Sequence, residues 1–426
     1  IFGYGSLNTL ATDEFEVDFS LQKVISSNVD GAWGVHAADL NNDGYMDLLT
    51  TGSMDNGVYA FINQGDSTFS LPIIISDDCP GSVSVFTADL DNDGWMDVIT
   101  SSSFDDKIEW YHNDHDLTFT FQETLTDSAD SVFSVFCGDL DGDGYQDILS
   151  ASQLDDSIRW YKNNQDGTFD QQTDIDSSAD QANAVYASDL DNDGDLDVLS
   201  SSYNDNSVRW YMNNGDSTFT AQTPISTTLA GAITIDVADL NNDGWQDVLA
   251  TGLVNDTVIW YENNKDGSFE EHMMITNDID GPNSVRTGDF DGDGYRDILI
   301  AGYLDDSVSW YRNNQDETFT PMGLLSNSLN GAKNAIVVDV DNDGHLDIVV
   351  ASCYDDTLSW FENLIEDEVI DDEVQNTEIT TIFTEEIIPD PEGTNPISEW
   401  VIIIGSGVLS FAMIAIVLIS KTKKKL

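Results

Sequence analysis

Asp89-Leu90-Asp91-Asn92-Asp93-Gly94-Trp95-Met96-Asp97 is one of seven copies of an acidic pattern, Asp-x-Asp/Asn-x-Asp-Gly-x-x-Asp, whose first residues are spaced by fifty: Asp39, Asp89, Asp139, Asp189, Asp239, Asp289 and Asp339. A repeat of this length means one supersecondary unit stacked many times. Alternate positions of a tight loop aim inward, so Asp139, Asp141 and Asp143 can converge on one point. The carbonyl of Tyr145 and the carboxylate of Asp147 would close a shell of oxygens around a hard cation. Ca²⁺ takes six to eight such oxygens at about 2.3–2.6 Å. Gly144 is expected to permit a turn that a side chain would obstruct.

The same ligand set recurs in every copy. It comprises Asp39, Asn41, Asp43, Tyr45 and Asp47; Asp89, Asp91, Asp93, Trp95 and Asp97; Asp189, Asp191, Asp193, Asp195 and Asp197; Asp239, Asn241, Asp243, Trp245 and Asp247; Asp289, Asp291, Asp293, Tyr295 and Asp297; and Asp339, Asp341, Asp343, His345 and Asp347. About seven Ca²⁺ are therefore expected per chain. Asn41 and Asn241 cost their loops one charge each, so those two sites are expected to bind more weakly. An EF-hand is excluded. Its twelfth position needs a bidentate Glu, but here that position holds Thr50, Thr100, Ser150, Ser200, Ala250, Ile300 and Val350, and β-like runs flank the loops.

The formal charge of −66 over 426 residues excludes nucleic acid and anionic lipid surfaces as partners. Apolar residues make up 40% of the chain, enough for a substantial core. Cys79, Cys137 and Cys353 occupy different places in their repeats, so they read as free thiols, with Cys137 and Cys353 as small buried residues.

Within the second unit, Ser82–Thr87, Asp97–Ser102, Lys107–Asn113 and Thr118–Leu125 read as strands, with a turn at Phe104-Asp105-Asp106. Four short strands repeated seven times predict an all-β fold, a seven-bladed β-propeller of four-stranded blades with a calcium loop in each. Trp110, Trp160, Trp210, Trp260, Trp310 and Trp360 recur in the third strand and are expected to pack between blades; the first copy has Ala60-Phe61 there. Phe69, Phe119, Phe169, Phe219, Phe269 and Phe319 mark six fourth strands, and stepping back fifty from Phe69 reaches Phe19. The segment Val17–Ile25 is thus expected to supply the outer strand of the last blade, completing the ring and removing an open edge.

Asp-x-Asp-x-Asp-Gly-x-x-Asp, then Trp160-Tyr161-Lys162-Asn163-Asn164 and Gly167-Thr168-Phe169, resembles the FG-GAP/VCBS repeat family, which includes the N-terminal propeller of integrin α subunits. The resemblance covers residues 15–363, after a lead of 1–14. It implies calcium at the loops and a role in cell-surface adhesion or ligand binding, although some members are attached to polysaccharide-degrading enzymes.

Residues 364–399, with Glu366-Asp367-Glu368 and Pro389-Asp390-Pro391-Glu392-Gly393, read as an acidic, extended, disordered stalk. Residues 400–420 carry no charge over the length of a membrane-spanning helix. The basic tail 421–426 places that helix's far end in the cytoplasm and the propeller outside. Lys423-Lys424-Lys425-Leu426 also fits a dilysine retrieval signal.

Two columns of the first strand vary while the repeats around them do not. One reads His36, Phe86, Phe136, Tyr186, Asp236, Arg286 and Ile336; the other reads Trp33, Val83, Phe133, Asn183, Ile233, Asn283 and Lys333. They are the expected surface for an extracellular protein or glycan ligand, with Trp33, His36, Phe86, Phe136, Tyr186, Asp236 and Arg286 as contacts. That surface is expected at the channel mouth and on the face opposite the calcium loops. His36, Asp236 and Arg286 would make an acid–base set if brought together, but no nucleophile or oxyanion-hole motif accompanies them, so a non-enzyme is expected.

Overall fold

The second strand of each unit decides where the core lies. Asp97–Ser102 and its six counterparts are buried along their whole length, as strands covered on both faces must be. The structure, a computed structural model, describes residues 17–365, 400–401 and 419–420. Within 17–365 the chain forms seven four-stranded antiparallel sheets. In the second blade the strands are Ser82–Ala88, Asp97–Ser102, Lys107–Asn113 and Phe119–Thr126, in sequence order. The inner three match the expected bounds within a residue, and the fourth is shifted by one.

The outer strands are less regular. Those of the third and fourth blades are only Phe169–Gln171 and Phe219–Ala221, and pairing resumes further on at single bridges, Ile158 with Asp176 and Val208 with Ser226. In the fourth blade Pro224 falls in that gap, where it has no N–H to donate to the ladder.

Ring closure follows the expected route. Lys23–Ser26 pairs with Thr357–Phe361 as the outer strand of the last blade, with Lys23 opposite Trp360. Phe19 bridges Asn363 and sets its ring 5.8 Å from Phe290 and 6.1 Å from Trp310. The other recurrent tryptophans repeat this contact. Each meets the fourth-strand Phe of the next blade edge to face: Trp110 on Phe169, Trp160 on Phe219, Trp210 on Phe269, Trp260 on Phe319 and Trp360 on Phe69, at 5.7–6.4 Å. Such pairs contribute about 0.5–1.5 kcal/mol beyond area burial. Where the first blade has Ala60, Leu117 and Phe119 fill the space. All three cysteines are free and buried.

The acidic stalk and the basic tail lie outside the described residues. So does the expected membrane helix, apart from Trp400–Val401 and Ile419–Ser420, which pair as short antiparallel strands. Among the described residues no helix is long and apolar enough to cross a membrane.

Deleting residues 1–26 should strip the outer strand from the last blade and expose its edge. We expect a lower melting temperature and aggregation by size-exclusion chromatography. Phe19→Ala, at a half-buried site, should cost about 2 kcal/mol, below the ~3–5 kcal/mol of a fully buried Phe.

Candidate functional site

Each acidic loop is organised by its own carboxylates. In the first, the N–H groups of Asp43 and Gly44 donate to the two oxygens of Asp39, at 3.0 and 2.8 Å, and the N–H of Tyr45 donates to Asp43 Oδ1 at 2.9 Å. The same three bonds recur in the other six loops, for example around Asp89 and around Asp339. Gly44 has φ +90 and a Cβ there would meet nothing within 4 Å; Gly144 is alike. Glycine is required for its left-handed backbone, not to avoid the obstruction expected from sequence.

The ninth position is a different kind of carboxylate. Asp47, Asp97, Asp147, Asp197, Asp247, Asp297 and Asp347 are at most 1% exposed. One oxygen of Asp147 accepts the N–H of Leu140 at 3.1 Å and the other accepts the N–H of Asn163 at 2.8 Å. The Asn163 side chain then crosses to the preceding blade and donates to the Leu90 carbonyl at 2.8 Å. This cross-blade bond is made in every blade by Asn63, Asn113, Asn163, Asn213, Asn263, Asn313 and Asn363. Burial raises the seven carboxyls to about 6 in the first three blades and about 7 in the other four, against the lowering effect of their backbone bonds.

The loops fit a hard cation. Asp139, Asp141 and Asp147 each bring one oxygen into a group spanning no more than 4.8 Å, as do Asp89, Asp91 and Asp93, and Asp189, Asp191 and Asp193. Asp141 Oδ1 and Asp341 Oδ1 are buried without a hydrogen-bond partner, and such an oxygen gains most from a bound ion.

In several blades the residue after Trp-Tyr in the third strand lies against the loop, and the motif ligands did not include it. Lys162 pairs with Asp141 and with Asp143, the latter at 3.0 Å. Arg312 Nε lies 2.6 Å from Asp291. Glu262 accepts from Asn241 at 3.3 Å, returning a carboxylate to a loop that had lost one. The signal was present as the most variable position in Trp-Tyr-x-Asn-Asn, which reads Ile62, His112, Lys162, Met212, Glu262, Arg312 and Glu362.

Both variable columns line one axial cavity of about 780 Å³. His36, Phe86, Phe136 and Tyr186 form an arc of rings with centroids 4.5, 4.9 and 4.9 Å apart. Asp236, Arg286 and Ile336 complete that tier. Burial and the nearby Arg286 push His36 down to about 4, so its imidazole is neutral at pH 7, while burial raises Asp236. In the second tier Trp33 meets Phe133 edge-on at 6.1 Å, and Lys333 Nζ sits 3.9 Å over Trp33 and 4.1 Å over Tyr303. The placement differs from expectation in one respect. The His36 column leads straight into the acidic loops, and the cavity reaches Met46 of the first loop as well as Gln153, Tyr203 and Leu253 of the strand-two turns. It runs along the axis rather than lying only on the face away from the loops.

The FG-GAP-like repeat family matches residues 39–100, 95–150, 139–200, 189–250, 239–300 and 289–350. The chain belongs to that family. Two solved structures share the propeller fold of this FG-GAP-like chain. One is an Agrocybe aegerita lectin that recognises non-reducing terminal N-acetylglucosamine, 22% identical over 70% of this chain and 80% of its own, TM-score 0.51. The other is virginiamycin B lyase from Staphylococcus aureus, 13% identical over 81% of this chain and 99% of its own, TM-score 0.57. No curated protein sequence matches the chain.

Asp197→Ala in this FG-GAP-like propeller should strand two buried N–H groups and cost about 2–4 kcal/mol, measured by denaturant unfolding. Stability should also depend on pH. A carboxyl raised in the folded state favours the protonated fold, so its cost is present above the folded pKa and is relieved as pH falls toward the unfolded value. In chelator, the melting temperature should rise as pH drops from about 8 to about 5. With calcium the rise should vanish, because ion and proton compete for the same loops.

Proposed function

We propose that this chain is a calcium-stabilised propeller, anchored to a membrane by one C-terminal helix, that binds an extracellular protein or glycan at its axial cavity. The observation that carries the reading is the convergence of both variable columns on that cavity. The loop and cross-blade hydrogen bonds repeat in every blade, so the departures of both columns, gathered along one cavity, suit a surface specialised for a ligand. The aromatic arc offers ring faces to sugars or apolar side chains, and Asp236 and Arg286 supply polar selectivity.

About seven Ca²⁺ would be held by the first, third, fifth and ninth side chains and the seventh carbonyl of each loop. The ion supplies charge neutralisation there, and binding to the folded state alone adds stability by mass action. Its effect on ligand binding is indirect, since none of the proposed contacts is a metal ligand. The acidic segment 364–399 would act as a stalk holding the propeller away from the membrane at the cell surface.

A second reading rests on His36 and Asp236 lining one cavity with Arg286, since an acid–base lyase or hydrolase would need titratable groups facing one substrate. Turnover of a polysaccharide by the purified protein would favour it over binding.

Chelation should lower the melting temperature markedly, and titration should approach seven calcium ions per chain; an unchanged melt in excess chelator sinks the calcium reading. A glycan and protein array, run with calcium and with chelator, should return a calcium-dependent ligand. Alanine at Trp33, Phe136, Tyr186 or Arg286 should then weaken binding about tenfold or more while leaving calcium stoichiometry intact. Unchanged binding in all four variants would place the site elsewhere.

A further inference from the structure

Two of the chain's five histidines lie within three residues of each other, at His112 and His115. The third strand of the second blade and the turn that follows it bring both against one acidic loop. His112 is the variable residue of Trp-Tyr-x-Asn, and His115 sits in the turn before the fourth strand. The matching pairs in other blades are Ile62 and Gly65, Lys162 and Gln165, Met212 and Gly215, Glu262 and Lys265, Arg312 and Gln315, and Glu362 and Ile365. No other blade presents an imidazole at either position.

We propose that the second blade holds a transition-metal ion of the zinc class through His112, His115 and Asp93. One donor atom from each of these residues lies within 4.8 Å of the other two. A second group, Asp91, Asp97 and His112, meets the same limit. Donors around a tetrahedral zinc, with Zn–N and Zn–O near 2.0–2.2 Å, stand about 3.3 Å apart, a distance that small side-chain rotations reach from this arrangement. His115 Nε2 is 2.5 Å from Asp93 Oδ2. His112 Nδ1 is 3.2 Å from Asp97 Oδ1 and 3.4 Å from Asp91 Oδ2.

The ligands are held in place by their neighbours. The His115 ring stacks on Trp95 at 4.8 Å and 15°, and the backbone N–H of His115 donates to Asn113 Oδ1 at 3.1 Å, fixing the turn that carries the ring. His112 is oriented by Asp97, a fully buried carboxylate tied to two backbone N–H groups. A carboxylate behind a ligating imidazole fixes the ring and raises its basicity. The donor chemistry selects the ion class: calcium is bound by oxygen, whereas imidazole suits zinc, copper and nickel. Asp93 is shared with the acidic loop, whereas both imidazoles lie outside the repeated motif and set the choice of ion.

The test uses the intact chain, stripped of metal and dialysed against Zn²⁺ in the presence of excess Ca²⁺, with bound zinc counted by mass spectrometry. The protein should retain one zinc, and Co²⁺ in its place should give the visible absorption of a nitrogen-ligated site. His112→Asn with His115→Asn should lose that zinc and the cobalt spectrum, with affinity reduced about 100-fold or more, while circular dichroism and calcium stoichiometry stay as in the parent. His272→Asn, at a histidine outside the site, should change neither. If the parent retains no zinc under excess calcium, or the double variant retains as much as the parent, the proposal fails.

Discussion

The buried ninth carboxylate of each acidic loop is the constraint on which the other contacts depend. Its two oxygens face in different directions. In the third blade one takes the N–H of Leu140 at the start of the loop, and the other takes the N–H of Asn163 in the third strand. Asn163 is thereby placed to reach the Leu90 carbonyl of the preceding blade. Loop, strand and neighbouring blade are joined through one side chain, and the series runs from Asn63, bonded to Val340, round to Asn363, bonded to Phe290. A buried carboxylate is costly unless its hydrogen bonds are made, so only the blade geometry that supplies both N–H groups is tolerated.

The same position would link the scaffold to a bound ion. A carboxyl raised by burial prefers to be neutral, and a divalent cation at its side reverses that preference. Neighbouring loops are further tied where Asn42, Asn92, Asn192 and Asn242 donate to the carbonyl of the sixth-position glycine in the next loop. An ion bound in one loop would therefore steady the approach of the next.

Seven near-identical blades produce a nearly symmetric ring, and a symmetric channel offers no unique binding orientation. Asymmetry enters through the inner strand, where rings occupy His36 through Tyr186 and polar or charged groups follow at Asp236 and Arg286. It enters again beside the loops, through Lys162, Arg312, Glu262 and the His112–His115 pair.

Much of this was legible in the chain. A fifty-residue period, a strand alternation and a fourth-strand Phe missing at the end and present at Phe19 determined the blade count and the closure, because a counted period shows which strand the last blade lacks and which segment is in register to supply it. The position of each acidic loop between the first and second strands was legible for the same reason. What tertiary structure decided is which side chains meet between blades and beside the loops. It made Asp147 a structural tie as well as a candidate ligand, and it sent Asn163 across to Leu90. It placed Lys162 on Asp141, and it ran the cavity along the axis to Met46. Those outcomes follow from how one blade packs on the next, and a spacing pattern that is the same in every blade carries no information about what crosses between them.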